Sequence, residues 1–238
     1  MDIVGLLTFL FQQAAESSGP LNWLQTKFVD GGAFMWPILA TLIFGLAYCI
    51  ERLWTLSRAS TDTKKFLVSV KGALDQGGVP AALEVCQNHR GSIASVFQAG
   101  LLRAEDGIEA AEKAIISYGG IEMAFLEKGL VWISLAISIA PLLGFTGTVQ
   151  GMIEAFDAIK EAKNISPEIV AGGISVALLT TLFGLVCAII LQVFYNYFVS
   201  RIDRLVIDME ESSIELIDSL VLIKSGRKVG DRGTTAKK

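Results

Sequence analysis

Three long stretches of this chain contain no aspartate, glutamate, lysine or arginine, and they constrain everything else. The first runs from Gly31 to Ile50, between Asp30 and Glu51. The second runs from Gly129 to Ile153, between Lys128 and Glu154. The third runs from Ile169 to Ser200, between Glu168 and Arg201. About 20 apolar residues in a helix cover a hydrocarbon core of roughly 30 Å, so each run is long enough to cross a bilayer. The chain is 52% hydrophobic and only 18% charged, whereas soluble domains carry roughly 25% charged residues. The expected fold class is an all-α membrane protein with three transmembrane helices and long cytoplasmic helical extensions.

Basic residues orient such a chain, because short loops rich in them stay in the cytoplasm. One, Lys27, precedes the first run, and Lys160 and Lys163 lie between the second and third. The other seventeen lie between the first and second runs or after the third. This predicts an outer N-terminus with the middle segment and the C-terminal tail in the cytoplasm. The expected organisation starts with an outer segment at 1–30, a first transmembrane helix at 31–56 and a cytoplasmic helical domain at 57–128. A second transmembrane helix follows at 129–156, an outer connection at 157–168 and a third transmembrane helix at 169–200. A cytoplasmic helical extension at 201–224 leads to a basic, flexible tail at 225–238. Trp23, Trp36, Trp54 and Trp132 fall near the predicted span ends, as interfacial aromatics do. Ile3 to Phe11 is apolar but too short to span and follows Asp2, so an amphipathic helix at the membrane surface is expected. A cleaved signal is the alternative.

The middle segment carries helical periodicity in Phe66, Val70 and Leu74, and again in Val96, Leu101 and Leu102. Gly77-Gly78 and Asp106-Gly107 punctuate it. A further helical pattern runs through Ala110, Ala111, Ala114 and Ile115, and Gly119-Gly120 marks a candidate bend. After the third run, Ile202, Val206, Met209, Ser213, Leu216, Leu220 and Ile223 alternate by four and three, a heptad seam weakened by Ser213. That seam fits packing on the chain's own middle segment, a bundle that aids subunit association, or both.

Several classes of function find no support. Cys49, Cys86 and Cys187 match no zinc or redox spacing. His89 is the single histidine, reads as a solvated surface residue and makes no metal site alone. There is no basic stripe interleaved with aromatics for nucleic acid. No nucleophile–base set or phosphate loop suggests an enzyme, and no cofactor is expected.

The second run holds Ala140-Pro141-Leu142-Leu143-Gly144-Phe145-Thr146-Gly147-Thr148-Val149-Gln150-Gly151. Pro141, Gly144, Thr148, Gly151 and Ala155 recur at three- and four-residue steps. The third run has a matching stripe in Gly173, Ala177, Thr180 or Thr181, Gly184 and Ala188. Such stripes let helix backbones approach closely in lipid, which accounts for the glycines. It accounts less well for Thr148, Gln150, Thr180, Thr181 and Gln192. In two antiparallel helices, Thr148 and Thr181 lie about 12 and 18 Å below the outer face at 1.5 Å per residue, similar levels. Thr180 and Thr181 point about 100° apart, so both cannot face one path equally. No carboxylate, histidine or lysine lies inside any run, although proton relays in membranes use ionisable side chains. The chain can line a proton path, and a partner must supply the acid. Glu51, Glu154 and Glu168 stand at span ends as interfacial charges.

The run from Gly144 to Gly151, the run from Gly172 through Thr180-Thr181 to Leu185, and the three-span topology together resemble the family of proton-channel subunits that includes ExbB, TolQ and MotA. The resemblance covers most of the chain, and three spans favour the ExbB and TolQ branches over the four-span flagellar type. It implies a homopentameric ring around a dimer of a one-span ExbD-like partner, which brings a transmembrane aspartate. It implies an inner-membrane location and a role in passing proton-motive force to a TonB-like protein for outer-membrane transport. TolQ-like work in envelope integrity and division, a non-conducting scaffold, and sodium in place of protons remain alternatives. The pore residues of that family match Thr148 and Thr181, with Thr180 and Ser175 beside them. Pro141, Gly144, Gly147, Gly151, Gly173, Ala177 and Gly184 would pack around the pore. Two departures stand out: Val176 replaces a glutamate common in ExbB proteins, and Gln150 replaces the usual tryptophan.

Overall fold

The computed structural model describes residues 19–59, 63–89, 91–162 and 167–225. The expectations for Ile3–Phe11, for residues 163–166 of the outer connection and for the tail from 226 lie outside them. Among the described residues all regular structure is helical: α1 (Pro20–Asp30), α2 (Met35–Ala59), α3 (Thr63–Asn88), α4 (Ser92–Leu102), α5 (Ile108–Glu127), α6 (Leu130–Ala162) and α7 (Pro167–Lys224). Stretches in Met35–Ser57, Ile108–Glu161 and Val170–Lys224 are long and apolar enough to cross a membrane. The helices divide between two compact units, one holding the described residues up to Cys49 and Trp132–Tyr195, the other Ile50–Val131 and the residues from Asn196.

The first unit is built on α6 and α7, which run antiparallel. Gly144 meets Thr181, Gly147 meets Thr180, Gly151 meets Ala177 and Gly184 meets Ala140. The first half of α2 packs against this pair. A Cβ on Gly45 would strike the Leu191 side chain. Phe44 and Tyr48 each sit 6.2 Å from Trp132, ring to ring. At the other end of α2, Gly32, with φ of 73°, turns the chain from α1 beside Val176. Phe28 of α1 meets Trp36 edge to face at 5.5 Å.

The second unit has a water-type core. Phe66, Val70 and Leu74 of α3, Val96, Phe97 and Leu101 of α4, and Ile115 of α5 are buried. Gly78, with φ of 66°, kinks α3, and Pro80 starts the continuation. Ile202, Met209, Ser213, Leu216 and Leu220 of α7 are buried in the same unit. The seam therefore covers the chain's own middle segment, and Lys71 reaches Glu215 at 2.5 Å.

Three sequence expectations are corrected here. Leu102 is 59% exposed, because it closes α4 one residue beyond the buried Leu101. His89 is half-buried, not a free surface residue: it stacks on Phe66 at 4.4 Å, and its Nε2 is shielded from solvent. Gly119-Gly120 does not interrupt α5, which continues to Glu127. The break comes at Lys128-Gly129, where Gly129 takes φ of 94°.

Candidate functional site

The seam between α6 and α7 is made of backbone against backbone. A Cβ on Gly184 would stand 2.7 Å from the Ala140 carbonyl oxygen, and one on Gly144 would stand 2.9 Å from that of Thr180. One on Gly151 would stand 3.0 Å from the Gly173 carbonyl oxygen. Such approaches leave no room for a side chain, so Gly144, Gly151, Gly173 and Gly184 serve this contact. Ala177, Gly173 and Ala155 extend it toward the C-terminal end of α6.

The threonines divide by their place around the seam. Thr180 is wholly buried and lies on Gly147, with its hydroxyl donating to the Ala177 carbonyl at 2.8 Å. Its expected place on a path is therefore corrected: the contact with Gly147 encloses it. Thr181 is half-buried at the margin, and its hydroxyl donates across the seam to the Gly144 carbonyl at 3.3 Å. Thr148 is half-buried too, with its hydroxyl donating to the Phe145 carbonyl at 2.5 Å. The observed register sets Thr148 about three residues, or ~4.5 Å, from the level of Thr181. Ser175 is exposed, but it lies about 120° round α7 from Thr181, off this margin. Pro141 shares the Thr148 face, about 20° away.

The side on which Thr148 and Thr181 lie follows from the same geometry. Each stands roughly 60–70° round its helix from the middle of the seam, in the same rotational sense. In antiparallel helices equal rotations of the same sense bring both to one side of the pair. Helix α2 occupies the other side: Trp132 lies about 160° from Thr148, and Val176 about 140° from Thr181. The threonine face thus turns away from the first span, and its apolar neighbours Phe145, Met152, Leu178 and Leu185 are exposed.

Three residues continue that face. Ser134 and Ser138 lie about 40° and 80° from Thr148, and Gln192 about 20° from Thr181. The seam register sets Ser134 level with about Gln192. Gln192 and Ser138 are exposed, and Ser138 donates to the Ser134 carbonyl at 3.0 Å. The two serines lacked a sequence signal, because their meaning depends on the register with α7. The rest of the face is apolar and exposed, including Phe145, Met152, Leu178 and Leu185. Gln150 points elsewhere and donates to Glu154 at 3.0 Å in the C-terminal part of α6. No group of three or more metal-ligating side chains gathers among the described residues.

Comparison with known proteins accords with this geometry. Residues 88–211 match the profile of the MotA/TolQ/ExbB proton channel family. A biopolymer transport ExbB homolog of Methanothermobacter thermautotrophicus is 31% identical over 194 residues, covering 81% of this chain and 67% of that protein. The ExbB-like 1 protein of Synechocystis is 29% identical over 181 residues, 74% of this chain and 71% of its own. The Tol-Pal system protein TolQ of Haemophilus influenzae is 34% identical over 84 residues, 35% and 37% of the two chains.

Proposed function

This chain belongs to the MotA/TolQ/ExbB proton channel family, and we propose that it is the ring-forming subunit of an inner-membrane motor driven by proton-motive force. The observation that carries this reading is the threonine face: polar, level to within a turn, turned away from the first span and free of acids. Such a face suits a neighbouring helix that brings its own carboxylate. A one-span ExbD-type partner with a transmembrane aspartate is that helix, and a homopentamer encloses it. The second unit, with its seventeen basic residues flanking and following the spans, lies in the cytoplasm, and the N-terminus lies outside.

The physical sequence of events is short. A proton entering from outside neutralises the partner carboxylate, since a charge inside hydrocarbon is costly. The neutral acid passes the apolar part of the face, and its proton leaves on the inner side past Ser138, Ser134 and Gln192. Each charge that crosses releases about 2.3 kcal/mol per 100 mV. Spread over the ring, these steps turn partner against ring, and a TonB-type protein receives the work for outer-membrane transport. A TolQ-type role in envelope integrity is the second reading, favoured by the TolQ relative. The partner's outer domain decides between the two.

The test is proton flux into liposomes holding the chain with its ExbD-type partner. Thr181→Val and Thr148→Val keep side-chain volume and remove the hydroxyl. Each is expected to cut flux roughly five- to ten-fold, the equivalent of one lost hydrogen bond of about 1 kcal/mol. Thr180→Val, in the enclosed seam, is expected to act on stability instead. Full flux in both Thr148→Val and Thr181→Val would defeat the assignment of this face.

A further inference from the structure

The break between α5 and α6 is held by a residue of a different helix. Helix α5 stops at Glu127, Lys128 is non-helical with ψ of 127°, and Gly129 has φ of 94° before α6 begins at Leu130. A helix end leaves its last carbonyls without partners. One of these, on Leu126, accepts a hydrogen bond from Nη1 of Arg52 at 3.3 Å. Arg52 belongs to α2, 74 residues earlier in the chain. Only 5% of it is exposed, rare burial for an arginine.

Its other nitrogens are spoken for as well. Nε and Nη2 donate to the two carboxylate oxygens of Glu51 at 2.8 and 2.9 Å, a two-pronged pair. The Thr55 hydroxyl donates to Glu51 at 2.9 Å and steadies the carboxylate on the next turn of α2. The guanidinium also lies close against the break: a Cβ on Gly129 would stand 3.0 Å from Nε and 3.3 Å from Cζ. Glycine is thus required at 129 twice over, by its backbone angle and by the arginine above it. The planar fork of arginine can meet a carboxylate and a carbonyl at once, and the point charge of lysine cannot reproduce that geometry.

We propose that Arg52 is a positioning residue, a clasp that holds the break at Lys128-Gly129, and with it the end of α5, against α2. Two non-helical residues at the foot of a working helix form a natural hinge. The clasp ties that hinge to α2, so a load on the break is shared by two helices instead of bending one joint. The energetic role of the clasp rests on the motor reading above, whereas its structural role stands on the contacts alone.

The experiment uses the full chain with its ExbD-type partner in liposomes. Spin labels go on Ser57→Cys of α2 and Ser117→Cys of α5, both exposed, with Cys49, Cys86 and Cys187 replaced by alanine. Arg52→Gln is expected to broaden the label–label distance distribution and to cut proton flux roughly ten- to a hundred-fold, the scale of a misplaced working group. Arg52→Lys should keep the charge and recover part of the flux. Gly129→Ala, which drives a methyl into the guanidinium, should broaden the distribution in the same way, and combining it with Arg52→Gln should add little. A narrow distribution in Arg52→Gln overturns the clasp, and a broad one with full flux overturns its part in the motor. If Arg52→Gln does not assemble, the Arg52→Lys and Gly129→Ala pair decides by the same two readouts. Absence of flux from the unmodified complex defeats the motor reading instead and leaves the distance measurement to judge the clasp.

Discussion

The two units of this chain solve the packing problem in opposite ways. In the first, α6 and α7 touch through Gly144, Gly151, Gly173 and Gly184, and the large side chains point outward. In the second, Phe97, Leu101, Leu126 and Leu216 point inward and are almost wholly enclosed. Lipid tails are as apolar as leucine, so burying leucine in the membrane gains little, and close backbone contact is what holds helices together there. In water the area removed from solvent dominates, at about 25 cal/mol per Å². The same chain therefore favours small residues inside one unit and large ones inside the other.

That contrast sets how each unit should fail. The largest effect is expected from shrinking the water-type core: Phe97→Ala should cost about 3–5 kcal/mol. Chemical unfolding of the second unit, followed by protease resistance of its fragment, would measure it. Enlarging the membrane seam should come next. Gly184→Ala, against the Ala140 carbonyl, should cost about 1–3 kcal/mol of overpacking, read as a lower melting point of the detergent-solubilised complex. Leu142→Ala, on the exposed side of α6, should stay within about 0.5 kcal/mol. If Gly184→Ala is harmless while Leu142→Ala destabilises, the contrast is wrong.

Two smaller effects sharpen the picture of the second unit. Lys71→Met should cost under about 1 kcal/mol, since the ion pair with Glu215 is part exposed. Thermal unfolding at low and high salt would resolve it. Cys86 is the smallest at neutral pH. Burial pushes its thiol up to about 12, from an ordinary value of 9.0. The folded form holds the proton more tightly than the unfolded one, so its contribution is intact below pH 9. It is lost as pH rises from 9 toward about 12. Labelling of the folded chain with a maleimide at pH 7.5 should leave Cys86 unmodified, and labelling as fast as free cysteine would contradict that burial.

These contrasts also explain what the sequence could and could not tell. The three spans were legible because charge is excluded from lipid whatever the details of packing. The glycine stripes were legible because three- and four-residue steps mark one face of any helix. The choice between Thr180 and Thr181 was not, since 100° steps fix angles within a helix but not which angle meets its neighbour. In the structure Gly147 covers Thr180, and Thr181 is left half-buried at the margin. Ser134 and Ser138 are silent for the same reason, as they acquire a common level with Gln192 only through the register of the seam. Arg52 reads in sequence as one more charge beyond a span. Its burial depends on a carbonyl 74 residues away, which no local pattern encodes. Gly119-Gly120 was the more obvious breaker, yet the helix ends at Gly129, where a neighbouring side chain occupies the space a Cβ would need.

The hydroxyl bonds of Thr148 and Thr181 carry one more consequence. A threonine hydroxyl has a single proton to give and two lone pairs with which to accept. Both residues have already given that proton to backbone carbonyls, of Phe145 and Gly144. What they turn outward is electron density alone. At these two positions the seam presents only acceptors, suited to hydrogen-bond donors such as a protonated carboxyl group, whereas the Gln192 amide farther along the same face can also donate. Two places on one face thus favour positive partners without any charged side chain, by the way their hydroxyl protons are held.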